Sequence, residues 1–498
     1  MGQCRAPCLL AVAAIGFGIV PTGAAADTLL ANPIAITGQS APGTSGTFAS
    51  FQRPLLNNLG NVALIATYAS GSATAWQGIW FGAGGSSLGN IAHAGQDAPG
   101  AGSPFNLFQD LRLNDSGEVA FSASTGSDST FATGGIWRAS ASAAAVPVAL
   151  RSAVPGARLS GFNNSGLATV IGTDLSNSNT TVWVGRSTSD LAPAAPLGPT
   201  SVFGNVPLTA SGQLALAHNL VNGSDPATIG YELLAGPASS VTTLIVRGPS
   251  EAVAVGSMND DGQLAFSASD RLWIGKQGAG VAPVVGPASQ APGVPGASFS
   301  SVGLPAINHS GQIAFRASLT GTGLNSANNS GIFSGADADS LQLIARAGDP
   351  LPQAPGFVIS TVGTPEMNAA GQMIFAGTVA GPGELSDLAI FGYDPQAGLR
   401  LLVRAGDLLQ IGPAGVRRVV SVSLDADSSP GGTDAGVLAG GEDGLGTNLN
   451  DAGQFAFLAT LTDGQTASSG VFVSSLPEPA AALGCIAILS CVIRRRRR

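Results

Sequence analysis

Hydrophobic and small residues alternate in short runs along this chain, and one run returns over its whole length. Its clearest form is Leu113-Asn114-Asp115-Ser116-Gly117-Glu118-Val119-Ala120-Phe121-Ser122-Ala123-Ser124. Bulky side chains stand two and four places after the glycine, with a small one between them. Examples are Val119 and Phe121 around Ala120, Leu264 and Phe266 around Ala265, Ile313 and Phe315 around Ala314, and Phe455 and Phe457 around Ala456. Such period-two alternation, with few charges, predicts a strand buried on both faces. The Asn-x-x-Gly before it predicts a tight hairpin turn. Asparagine folds its side chain back onto the backbone, and glycine takes a positive φ without a Cβ clash.

Aligned on that glycine, the copies fall at Gly60, Gly117, Gly166, Gly212, Gly262, Gly311, Gly371 and Gly453. Seven carry asparagine three residues earlier, at Asn57, Asn114, Asn163, Asn259, Asn308, Asn368 and Asn450; the fourth has Thr209. The copies at Gly166 and Gly212 are the most degenerate. A second marker stands further along each copy, as in Gly78-Ile79-Trp80, Gly135-Ile136-Trp137, Val182-Trp183, Leu272-Trp273, Gly331-Ile332-Phe333, Ala389-Ile390-Phe391 and Gly470-Val471-Phe472. A third marker is an apolar run ending in a polar turn, often with Ala-Pro-Gly after it, as at Ala41 to Gly43 and Ala98 to Gly100. Each unit of about fifty residues thus holds four short strands, which suits a β-propeller blade better than a solenoid or a row of sandwiches.

The expected fold is all-β: a propeller of about eight four-stranded blades, with a signal helix before it and an apolar helix after it. The last copy stops after its marker strand, Gly470 to Ser474, whereas Leu29 to Thr37 matches a fourth strand. The N- and C-terminal strands are therefore expected to complete one blade together and remove an exposed edge. The widest gap, Gly371 to Gly453, holds an insertion with Asp425, Asp427, Asp434, Glu442 and Asp443, read either as an acidic loop or as a decayed ninth repeat.

Composition narrows the class. Hydrophobic residues make up 44% and charged residues 10% of 498, and with clear periodicity this describes a folded, turn-rich β protein. The net charge is −9, and six of the 21 basic residues (Arg5 and Arg494 to Arg498) lie in the two ends, so the body is more acidic still. A nucleic-acid footprint is not expected. Cys4 and Cys8 precede the body and Cys485 and Cys491 come after it, which excludes disulfides and thiol chemistry within it.

The ends read as an address. Residues 1–26 have Arg5, an apolar stretch from Leu9 to Val20, and Ala24-Ala25-Ala26 before Asp27, which fits a secretory signal cleaved between Ala26 and Asp27. Residues 27–475 form the repeat domain. Residues 476–498 hold Pro477-Glu478-Pro479, an apolar stretch and five arginines. This tail resembles the PEP-CTERM sorting signal. The resemblance implies processing near Pro477 by an exosortase, a membrane-embedded cysteine transpeptidase. It also implies delivery to the cell surface or exopolysaccharide matrix of a Gram-negative bacterium. The apolar stretch would reach the membrane only before processing. In the body, Asn-x-x-Gly-x-x-Ala-Phe at Asn114 to Phe121, Asn259 to Phe266, Asn308 to Phe315 and Asn450 to Phe457 resembles the NxxGxxAF tandem-repeat family. That likeness implies a bacterial surface protein without known enzymatic activity.

Candidate chemistry is sparse. His93, His218 and His309 fall in three copies at three repeat positions, so neither a metal cluster nor a Ser-His-Asp triad is suggested. No catalytic, cofactor-binding or metal-binding residue is assigned. Asp97, Asp349 and Asp407 recur near polar turns and read as caps. Trp80, Trp137, Trp183 and Trp273 read as core, with Trp76 the exposed exception. The expected role is structural, adhesive or binding. The alternatives are a carbohydrate-active enzyme using loop carboxylates and a calcium-dependent binding module built on residues 425–443.

Overall fold

The computed structural model describes residues 29–477 except 70, 72–74, 199–201, 223–224, 352–353, 382–386, 413–414 and 425–443. The two expected terminal helices, the Ala26–Asp27 bond and most of the acidic insertion lie outside the described residues.

Each repeat folds as one antiparallel sheet. In the sheet built on Gly117 the strands are Phe105–Leu113, Glu118–Thr125, Gly135–Ser140 and Ala143–Leu150, paired in that order. The first strand leads into the Asn-x-x-Gly turn, the second carries the large/small alternation, the third carries the aromatic marker and the fourth is outermost. Among the described residues the strands form seven open sheets of this kind and one closed sheet. The arrangement is a β-propeller. The degenerate copies are complete: Arg158–Phe162 through Ala192–Gly198, and Val202–Phe203 through Thr242–Arg247, each make a four-stranded sheet.

Burial tracks the alternation. Val119, Ala120, Phe121, Leu264, Ala265, Phe266, Phe455, Ala456 and Phe457 are all fully buried. The bulky residues of one sheet pack against the next sheet. Phe121, for instance, shares a cluster with Ile65 and Ile79 of the preceding one. Trp80 and Trp137 are likewise fully buried, and each indole N–H donates to the carbonyl of an Ala-Pro-Gly turn, Pro42 at 3.0 Å and Pro99 at 2.9 Å. The second and third sequence markers are thus partners. Trp183 and Trp273 are half-buried, and Trp76 is 45% exposed.

The closed sheet joins the ends. Leu30–Ile36 lies antiparallel to Ala467–Ser475, with Asn32 opposite Val473, Pro33 opposite Phe472 and Ile36 opposite Gly470. The N-terminal strand supplies the missing fourth strand. A further pairing has no signature in the sequence. Leu408–Ile411 pairs in parallel with Leu30 and Ala31 on one side and antiparallel with Val416–Ser423 on the other, so the hydrogen bonding closes on itself. Proline in outermost strands, at Pro147 and Pro283, removes N–H donors from those edges.

Candidate functional site

The polar side chains of this protein gather at two places, the ring of turns and the seam between the last sheet and the first. In seven of the eight turns an asparagine both fixes its own turn and reaches the next copy. Asn57 Oδ1 accepts the N–H groups of Leu59 and Asn61 at 3.1 and 2.9 Å, which fixes the turn. Its Nδ2 donates to the backbone carbonyl of Asn114, in the next copy, at 3.2 Å. The same donation runs from Asn114 to Asn163, from Asn163 to Thr209, from Asn259 to Asn308, from Asn308 to Asn368, from Asn368 to Asn450, and from Asn450 back to Asn57. A primary amide offers acceptor and donor on two separate atoms, one for each direction; aspartate has no donor to give. Thr209 fails the second task. That copy keeps only the links its neighbours also make, Ala210 N–H to Asp260 Oδ1 at 3.1 Å and the Ser211 hydroxyl to the Asp260 carbonyl.

The glycine is constrained from the neighbouring sheet as well. Gly453 has φ 72°, and a Cβ there would lie 2.9 Å from Gln372 Oε1. Gln213, Gln263, Gln312, Gln372 and Gln454 all stand directly after a turn glycine and lie over the glycine of the next copy. That glutamine was legible as a repeat position, but its role requires the neighbour.

The second residues of the turns form an inner circle. Asn58 N–H donates to Asp115 Oδ1, Asp115 N–H to Asn164 Oδ1, Ala369 N–H to Asp451 Oδ1 and Asp451 N–H to Asn58 Oδ1, all at 2.8–2.9 Å. Asn58 Nδ2 bridges the remaining oxygens of Asp115 and Asp451. These residues line a cavity of about 20 Å³, room for one water. The carboxylates here hold backbone and amide donors, a structural use.

Beside the ring, the closure is tied by a buried network. Arg53 donates through Nη2 to Glu366 Oε1 at 2.7 Å and through Nε to Asn448 Oδ1 at 2.6 Å, and Glu366 Oε2 accepts Asn448 N–H at 2.7 Å. Three successive sheets are joined by these side chains. Below it, between the closed sheet and strand Thr47–Phe51, lies a groove of about 220 Å³. Ser50, Ser421, Ser423 and Thr460 supply hydroxyls, Phe51 and Leu458 supply apolar surface, and among the described residues no ionisable side chain lines it. Ser50 is bonded to Thr67 at 2.6 Å and Thr460 to Ser469 at 2.9 Å. Thr67 and Thr460 stand seven places after the turn glycine, where Ser124, Thr173, Ser269, Ser318 and Thr378 also stand. This hydroxyl position went unread in the sequence although its spacing is regular. The groove has the size and the hydroxyl lining to hold a small uncharged polar molecule.

The histidines lie in three different sheets. His93 Nδ1 meets Asn90 Oδ1 at 2.9 Å, and burial lowers its pKa. His218 is buried between Glu232 Oε2 and the Asn219 carbonyl. His309 is exposed at the second position of its turn. Among the described residues no group of three His, Cys, Asp or Glu side chains is placed to hold a metal ion. Asp349 and Asp407 accept from Arg346 and Arg404, three residues earlier, within their turns. Asp97 is not in the matching place; Gln96 takes it, with its side chain accepting the His93 N–H. Pro477 is the last described residue, and Glu478 and Pro479 lie outside.

A family model for a family of unknown function, DUF7453, matches residues 26–151 and 159–483. The chain belongs to that family. No curated protein matches it in sequence. Among solved structures, this DUF7453 chain is similar to a prolyl endopeptidase (TM-score 0.45, 12% identity, 72% of this chain and 49% of that one). It is also similar to the β-propeller domain of the Trilobed protease from Pyrococcus furiosus (0.41, 13%, 72% and 98%) and to an oligogalacturonate lyase from Vibrio parahaemolyticus (0.41, 11%, 87% and 99%). The match spans about half the length of the prolyl endopeptidase.

Proposed function

We propose that this DUF7453 protein is an eight-bladed propeller, the closed sheet being the eighth blade, that acts as a non-catalytic binding or structural protein of the cell surface or exopolysaccharide. The circuit of eight turns supports the blade count. In this reading residues 1–26 direct export, and an exosortase acts on the segment around Pro477-Glu478-Pro479, as in PEP-CTERM proteins. The observation that carries the binding role is the seam groove. Hydroxyls and one aromatic ring without an ionisable group match the surface of a neutral sugar, which offers hydroxyls and apolar C–H faces.

The test is a glycan array, then calorimetry with neutral oligosaccharides. Saturable binding that is lost on Ala49→Phe, a bulky side chain at an exposed position lining the groove, supports the reading; binding that survives the substitution moves the site elsewhere. Hydrolysis or elimination products appearing in the same incubations would overturn the non-catalytic role.

A further inference from the structure

The two ends of the described chain leave the ring together. The strand Leu30–Ile36 starts beside the end of Ala467–Ser475, and the Ser474 hydroxyl donates to the Leu30 carbonyl at 2.7 Å. Leu476, 8% exposed, packs in the same core as Leu402, and its N–H donates at 2.8 Å to the carbonyl of Gly453, a turn glycine of the ring. The opposite end of the N-terminal strand, where Thr37 N–H meets the Ser469 carbonyl, leads into the Ala41-Pro42-Gly43 turn at the far face. Both ends therefore emerge on the face that carries the Asn-x-x-Gly turns.

We infer that this turn face is the one held toward the lipid surface whenever the chain is tethered, and that the face bearing the Ala-Pro-Gly turns looks away from it. The inference rests on the proposed reading of residues 476–498 as a membrane-inserted sorting segment. The sequence leaves little slack. Leu476 is fixed in the core, and only Pro477-Glu478-Pro479 separates it from the apolar stretch beginning at Ala480. Three residues extend at most about 10 Å, too short for the ring to turn over. A leader attached at Asp27 reaches the same face from the other end, two residues before Leu29. The seam groove, which lies below the turn ring, stays clear of the surface in this orientation.

The body has no cysteine, so single reporters can be placed on either face. In the full chain with Cys4, Cys8, Cys485 and Cys491 replaced by serine, Ala370→Cys puts a thiol at an exposed position of a ring turn. Asp97→Cys puts one at an exposed position of the linker leading into strand Phe105–Leu113, at the far face. Each protein is incorporated into phosphatidylethanolamine–phosphatidylglycerol vesicles and treated with a bulky maleimide-polyethylene glycol. The expected result is at least fivefold slower modification at position 370 than at 97, with equal rates in detergent. Equal rates in vesicles, or slower modification at 97, overturn the inference. If the chain is not retained by the vesicles, the reading of the tail fails. The orientation is then tested by anchoring the same chain without residues 1–26, through a hexahistidine placed directly before Asp27, to nickel-chelating lipid, where position 370 must again be the slower and equal rates refute it.

Discussion

Asn450 donates its side-chain N–H to the backbone carbonyl of Asn57, 393 residues away, at 3.1 Å. This contact completes the circuit of turns, and it makes the effect of single amides measurable. Asn450→Ala removes the acceptor of the Gln454 N–H and one of the two donors to the Asn57 carbonyl, the other being the Gly60 N–H. It is expected to cost about 1–3 kcal/mol, read as a lower midpoint in urea unfolding.

The one break in the amide circuit yields the converse. Thr209 is fully buried and lacks the donor that seven other copies supply. Thr209→Asn is expected to restore the link to the Asn259 carbonyl and raise stability by about 0.5–1.5 kcal/mol, again by urea midpoint. An unchanged or lower midpoint would show that this link adds no stability at the fourth turn.

Arg53 and Glu366 form a buried pair at the closure, with side chains 14% and 7% exposed. Arg53→Ala leaves the Glu366 carboxylate without its counter-ion and is expected to cost about 3–5 kcal/mol. Arg53→Met with Glu366→Leu is expected to recover much of that loss, because no charge then remains to be solvated. A double-mutant cycle read by thermal unfolding decides between these outcomes.

Acid should loosen particular turns first. Asp463 accepts the N–H groups of Thr466 and Gln465, and Asp128 those of Thr133 and Thr130 together with the Thr130 hydroxyl. These bonds hold both carboxyls below the ordinary aspartate range. Their folded pKa is depressed, so the stabilisation is complete above about pH 4 and is lost as pH falls through the folded value. Amide exchange at Thr133 and Thr466 is expected to lose protection on acidification below about pH 4. In Asp128→Asn the pH dependence at Thr133 should disappear.

Much of this architecture was legible because its determinants are local. Turn chemistry at Asn114 to Gly117 and alternation at Val119 to Phe121 depend on a few neighbouring residues, and so they repeat visibly. The N-terminal strand as partner of Gly470 to Ser474 was legible by counting strands. What stayed hidden were relations between copies: the amide passed from Asn57 to Asn114, the Trp80 indole bonded to Pro42, the parallel pairing of Leu408–Ile411, and the groove made by Ser50 and Ser421. Each depends on which residues face one another across a long stretch of intervening chain, and a one-dimensional pattern carries no such distance.

Because Leu30–Ile36 finds its place against Leu408–Ile411 and Ala467–Ser475, a strand made early must wait for strands made late. A ribosome that stalls anywhere before the final sheet therefore releases a molecule with two raw β-edges, ready to pair with strangers and easy for a protease to grip. Completion is built into the shape itself, so a shortened product cannot pass for a finished one.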